Sequence, residues 1–304
     1  MFSLAQTPAP TPSSTPDYYE TQRAREMQRN VEGALSRRRS PMPFKDVPRR
    51  QRLLQEHFES VYRTPTKAES KLLAPNSADL DRFRQFLRLP GTGIIKLVPD
   101  FGCAENTKIV SAGQQCLKYT MPGGGSSYSF RIDNYRIPRL ADLTFSGEKF
   151  LTTGVFSQGI LADIGDVSLE NVSLATKGMD FLTAFQPTDD YQRAVKIDRD
   201  FLNGIEGGGF LYKRSLPVKI NTTYLLRSIA YKGPSYQAFE GITYDEFEFD
   251  KRRDIVVAFR IVRRDSDGSV TINWQKLADK KAPSVRWPKK DEKQVKENNF
   301  VADK

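Results

Sequence analysis

The stretch Ile255–Leu277 constrains the fold more than any other part of the chain. Two strand-like runs, Ile255–Arg264 and Ser269–Leu277, flank Asp265-Ser-Asp-Gly268. Asp and Ser early in a turn, with Gly at its end, suit a type I turn closed by a glycine bulge. That turn predicts a hairpin in which Phe259 faces Trp274 and Ile261 faces Ile272. Successive strand residues point to opposite faces, so one face is apolar. Arg260–Asn273 and Val262–Thr271 then fall on the other. A hairpin this apolar needs more structure to cover it.

The covering strands lie upstream. Ile94–Val98, Tyr128–Ile132, Leu143–Phe145, Lys149–Phe156 and Ile160–Leu169 are short apolar or alternating runs separated by Gly, Asp and Ser. That spacing predicts antiparallel pairing. Two helical windows interrupt it, Met179–Phe185 and Thr188–Leu202. The second is capped by Thr188-Asp-Asp and stopped at Gly204. The expected class is mainly β (α+β): an antiparallel sheet or sandwich with a helical N-terminal arm and a short helical insert.

Three helices are expected before the first strand. Tyr19–Leu35 carries a narrow apolar stripe, and Arg49–Tyr62 presents Leu53, Leu54, Phe58, Val61 and Tyr62. A third starts at Asn76-Ser-Ala-Asp, with Ser77 as its expected N-cap, and stops at Pro90-Gly91. Residues 1–17 are Pro/Thr-rich and lack the apolar content of a core. The expected division is a disordered head over 1–17, a basic helical arm and linker over 18–76, a β-rich globular domain over 77–278 and a polar Lys-rich tail over 279–304. The competing view packs the stripes of Ala24–Leu35 and Leu53–Tyr62 onto the sheet, where they complete its core.

Charge follows that division. The 304 residues carry a net +10. Residues 18–63 hold 11 Lys+Arg against 6 Asp+Glu, and residues 279–304 hold 8 against 5. Basic arms meet phosphates, an anionic surface or an acidic partner. The alternative is a merely solvated surface.

Histidine and cysteine usage narrows the chemistry. The one histidine, His57, lies in a basic helix and reads as a helix-surface residue. Histidine-based triads and clustered zinc ligands therefore have little to draw on. No metal site or cofactor is expected. Cys103 and Cys116 flank a short segment and suit one disulfide in an oxidising compartment, the alternative being two separate thiols. Ser3-Leu-Ala5 before Gln6 matches the small-x-small end of a cleaved signal, without the basic and apolar regions that precede one. Export to the periplasm or outside the cell is the expected location, and the cytoplasm the alternative. No run of apolar residues is long enough to predict a transmembrane helix.

Two groups of candidate site residues emerge. Glu246, Glu248 and Asp250 share a strand face by period two, together with Tyr244, and side-by-side carboxylates bind a cation or include a raised-pKa acid. Lys251-Arg-Arg253 follows at once and offers neutralisation on a solvated surface instead. Arg37, Arg38 and Arg39 in the linker, with Arg227 and Lys232 among Tyr224, Tyr231 and Tyr236, are the candidate anion-binding set. Half-buried packing is the alternative for those tyrosines. No catalytic residue is identified. The leading expectation is a non-catalytic binding or assembly protein of the cell envelope, whose partner is another envelope protein, an anionic polymer or an anionic surface. A carboxylate-only hydrolase of glycosidase type and a nucleic-acid-binding protein using basic arms are the alternatives.

Overall fold

The computed structural model describes residues 47–100, 122–239 and 242–286. The expected helix at Tyr19–Leu35, the linker arginines Arg37–Arg39, and Cys103 with Cys116 lie outside the described residues.

Helix α1 (Val47–Val61), α2 (Lys67–Leu72) and α3 (Ser77–Arg82) precede the first strand. Fourteen strands follow among the described residues, and all their pairings are antiparallel. They are β1 (Thr92–Leu97), β2 (Ser127–Ser129), β3 (Asn134–Tyr135), β4 (Leu143–Phe145), β5 (Lys149–Leu151) and β6 (Ser157–Asp163), then β7 (Ile205–Gly207), β8 (Phe210–Tyr212) and β9 (Ser215–Pro217). β10 (Thr223–Ala230), β11 (Tyr236–Phe239), β12 (Ile242–Asp245), β13 (Arg253–Arg264) and β14 (Val270–Lys281) complete the set. Helices α4 (Met179–Ala184) and α5 (Tyr191–Asn203) are inserted between β6 and β7. The fold is mainly antiparallel β with few helices, as the alternation and turn chemistry predicted.

One five-stranded sheet has the order β1-β14-β13-β10-β6, and a second has β3-β2-β4-β5-β9. The main core lies between them. Leu226, Val257, Phe259, Ile261, Ile272 and Trp274 from the first sheet meet Tyr128, Phe130, Leu143, Phe145 and Phe150 from the second segment of chain. Each such side chain, fully buried, contributes about 1.5–3 kcal/mol. The opposite face of the large sheet, with Ile160, Ala162, Leu225 and Ala258, is covered by Met179 and Leu182 of α4 and Phe201 of α5. The molecule is thus a small sheet, a large sheet and a helical layer.

The β13–β14 hairpin forms as its turn predicts. Gly268 has a left-handed φ of 81°. Its N–H donates to Asp265 O, and Asp265 N–H donates to Ser269 O. Phe259 pairs with Trp274, Arg260 with Asn273 and Ile261 with Ile272. Val262 does not pair with Thr271. A bulge there shifts the register, so Thr271 faces Arg263. Both strands also outrun the expected end at Leu277, because Asp279–Lys281 pair back onto Arg253–Ile255.

The expected boundaries at 76 and 278 therefore do not separate the packing. Tyr62, at the end of α1, is buried with Leu140, Val155, Phe156 and Phe247. Leu73 is buried against Val98. On the C-terminal side, Val285 packs on Ile229 and Tyr231. For α1 the view that the helix completes the core holds.

Local signals explain several helix boundaries. Thr66 and Glu69 form a reciprocal capping box at the start of α2. The N-cap of α3 is Asn76, one residue before the expected Ser77: its Oδ1 accepts from Ala78 N at 2.9 Å. Asp190 caps α5 through Arg193 N at 2.8 Å, and Gly204 ends it.

Candidate functional site

The acidic segment folds differently from its alternating pattern. β12 ends at Asp245, whose Oδ1 accepts from Phe247 N at 3.0 Å and caps a single 3-10 turn over Glu246–Phe249. In a 3-10 turn residues i and i+3 eclipse, so 246, 248 and 250 no longer share a face. Glu246 is buried. It accepts from Arg139 Nη2 at 2.8 Å, Ser235 Oγ at 3.3 Å and the Tyr62 hydroxyl at 3.2 Å. Glu248 is exposed. Asp250 is buried and accepts from Arg131 Nη1 at 2.9 Å and Arg252 Nη1 at 2.8 Å. The three carboxylates thus do not form a cation site. Among the described residues no group of three or more His, Cys, Asp or Glu side chains is placed to hold a metal ion.

Asp250 belongs to a buried ion network between the sheets. Arg131 has a fully buried side chain and reaches Asp142 at 2.9 Å as well as Asp250. Asp142 also accepts from Ser129 Oγ, Ser228 Oγ and Arg131 N. Arg252 donates to the carbonyls of Tyr231, Val155 and Phe156 and lies 3.8 Å over the Phe247 ring. Burial works against the Asp250 charge, but Arg131 and Arg252 outweigh it and hold the carboxyl below its ordinary range. Burial also lowers Arg252, to about 10. Every charge in this network has a counter-charge, so it fixes geometry and leaves no raised-pKa acid at Asp250.

His57 is not a surface residue of α1. Its ring stacks on Phe239, with centroids 4.1 Å apart and an interplanar angle of 10°. Its Nε2 lies 3.0 Å from the Tyr244 hydroxyl, which lies 2.9 Å from that of Tyr62. A chain of polar contacts thus runs from His57 through Tyr244 and Tyr62 to Glu246 and Arg139. Burial, reinforced by the charge of Glu246, pushes the Tyr62 hydroxyl far above the ordinary tyrosine range. Burial also raises Tyr244. Both phenols stay neutral, and the chain ties α1 to the β11–β12 hairpin. No local pattern marks this, because Tyr244 is 187 residues from His57.

The candidate anion set is likewise dispersed. Arg227 is buried and bidentate to Asp254 at 2.9 and 2.7 Å, and it also donates to Leu182 O and Phe185 O. This pins α4 to the sheet. Lys232 is exposed. Tyr224 is in the main core, with its hydroxyl donating to Pro217 O, and the Tyr231 hydroxyl donates to Gln158. They form no stacking platform with Arg227.

A different set of polar residues does converge. On the helical side of the large sheet, beyond its apolar patch, is a cavity of about 170 Å³. Its floor includes Asn273 of β14, Arg260 and Val262 of β13, and Leu169. Exposed Arg82, Asp166, Ser168, Glu170 and Asn221 form its rim. Arg263 holds Asp79 of α3 at 2.5 and 3.1 Å, which places Arg82 at the rim. Arg260 donates to Val167 O, to Thr223 Oγ1 and to Asp166 at 2.6 Å. Asn273 is 2% exposed, and its Oδ1 has no hydrogen-bond partner. Thr271 Oγ1, on the same strand face, also has none. The sequence carried a trace of this cavity: Arg260–Asn273 is a polar pair inside two apolar strands.

No family model, curated protein or solved structure matches the chain.

Proposed function

We propose that this is a non-catalytic, exported binding or assembly protein of the cell envelope that meets an anionic polymer or surface. The observation that carries the reading is where the positive charge lies. The interior arginines Arg131, Arg139, Arg214, Arg227 and Arg252 each face a carboxylate at 2.7–3.0 Å. They serve the architecture. The described residues nevertheless hold 33 Lys+Arg against 26 Asp+Glu, so most of the +10 belongs to the folded body and not to the outer termini. α5 displays part of it. Arg193, Lys196 and Arg199 recur every third residue, and all three are exposed, while Ala194, Asp198 and Phe201 face inward. Three cations on one helical face suit a repeating anion. Export rests on Ser3-Leu-Ala5 and on the pair Cys103 and Cys116.

The test is retention of the full chain on heparin and on anionic vesicles over a salt gradient. Changing Arg193, Lys196 and Arg199 together to Gln should make the dependence of log affinity on log salt shallower by roughly 2–3. Unchanged retention would remove the surface from the reading. Mass spectrometry of native protein should find Gln6 as the first residue, and an intact Met1 would argue against export.

A further inference from the structure

The structure assigns a second binding site, for one neutral sugar residue, to the cavity between β13, β14, α3 and the 168–170 turn. Its charges balance. Arg82 and Arg260 are matched by Asp166 and Glu170, so the lining carries no net charge with which to favour an ion of either sign. The carboxylates are also engaged already, Asp166 by Arg260 at 2.6 Å and Glu170 by the Ser168 hydroxyl. What remains is hydrogen-bonding capacity without net charge. The amides of Asn221 and Asn273 each offer donors and an acceptor, and a guanidinium has five N–H groups, of which Arg260 uses only some.

A sugar hydroxyl both donates and accepts, so a ring of them matches this mixture. Sugars also carry apolar C–H faces, and Leu169 and Val262 provide apolar wall for one. The cavity of about 170 Å³ is on the scale of a single ring. The buried orphan Asn273 Oδ1 is a second mark of the site, because unpaired buried acceptors are few in folded proteins and each has a cost. Asn221 adopts a left-handed φ of 58°, which turns the chain at the rim. This site is independent of the basic stripe on α5.

The experiment is saturation-transfer NMR on the full chain with glucose, mannose and N-acetylglucosamine as separate probes, and with glutamate and inorganic phosphate as ionic comparators. Two rim variants test the location. Asn221→Gly keeps the left-handed backbone and removes the amide, and Arg82→Gln changes an exposed side chain. Unfolding temperatures check that both remain folded. At least one sugar should show transfer, and each variant should weaken it by up to about tenfold, as expected for loss of one hydrogen bond. Absence of transfer to all three sugars overturns the assignment, and so does transfer that both variants leave unchanged. Binding of glutamate or phosphate in place of the sugars overturns it too, because the site would then select charge.

Discussion

The indole of Trp274 fills the space beside Gly93 across the β1–β14 ladder. A Cβ built on Gly93 would lie 2.6 Å from two ring carbons of Trp274, and the ring is buried. Gly93→Ala therefore has to displace a packed aromatic. The expected cost is about 1–3 kcal/mol, read as a lower urea midpoint with an unchanged slope.

Asp250 holds two buried arginines at once. Asp250→Asn leaves Arg131 and Arg252 short of one counter-charge in a site without water access. A loss of about 3–5 kcal/mol is expected from breaking a buried ion pair on one side. Chemical denaturation of the variant measures it, and a change under 1 kcal/mol would show that Asp142 alone suffices.

Glu69 links stability to acid. Bidentate hydrogen bonds from Arg63, at 2.7 Å each, lower its carboxyl from 4.5 to about 2 against the opposing effect of burial. A folded-state value below the unfolded one means the stabilisation is complete above pH 4.5 and is lost as pH falls toward 2. Glu69→Gln should lower stability at neutral pH and converge with the wild type near pH 2. Parallel unfolding curves across that window would contradict this.

Tyr244 is the bridge between His57 and Tyr62. Tyr244→Phe removes that bridge and leaves the contact of Tyr62 with Glu246 in place. Global stability should fall by about 1 kcal/mol. Amide exchange in Val47–Val61 should accelerate more than in β13 or β14, because α1 loses part of its docking.

Short-range structure was largely legible. The Asp265–Gly268 turn marked the hairpin, and the expected pairs Phe259–Trp274, Arg260–Asn273 and Ile261–Ile272 formed beyond a bulge that shifts the register next to the turn. The bulge at Val262 was not legible, because an extra residue leaves the alternation intact on either side. The Glu-Phe-Glu-Phe run misled for a different reason. Its alternation is that of a strand, yet Arg139 and Arg131 draw Glu246 and Asp250 inward from 107 and 119 residues away. The cavity was missed likewise, since Arg82, Asn221, Arg260 and Asn273 come from separate segments. Thr66-x-x-Glu69 is the converse, a capping box whose whole signal lies within four residues of sequence.

The order of strands in the large sheet also dictates an order of assembly. β14 lies between β1 and β13, so among the described residues the first strand has its one neighbour in the last strand of the sheet. A chain made from its N-terminal end can pair β6 with β10 early. Ile95 and Leu97 lack their ladder partners until residues 270–275 emerge. Such distant pairings fold slowly and expose apolar segments meanwhile. The consequence is a sheet that stays open at one edge until its last strand arrives, so the pairing most distant in sequence is also the one that closes it.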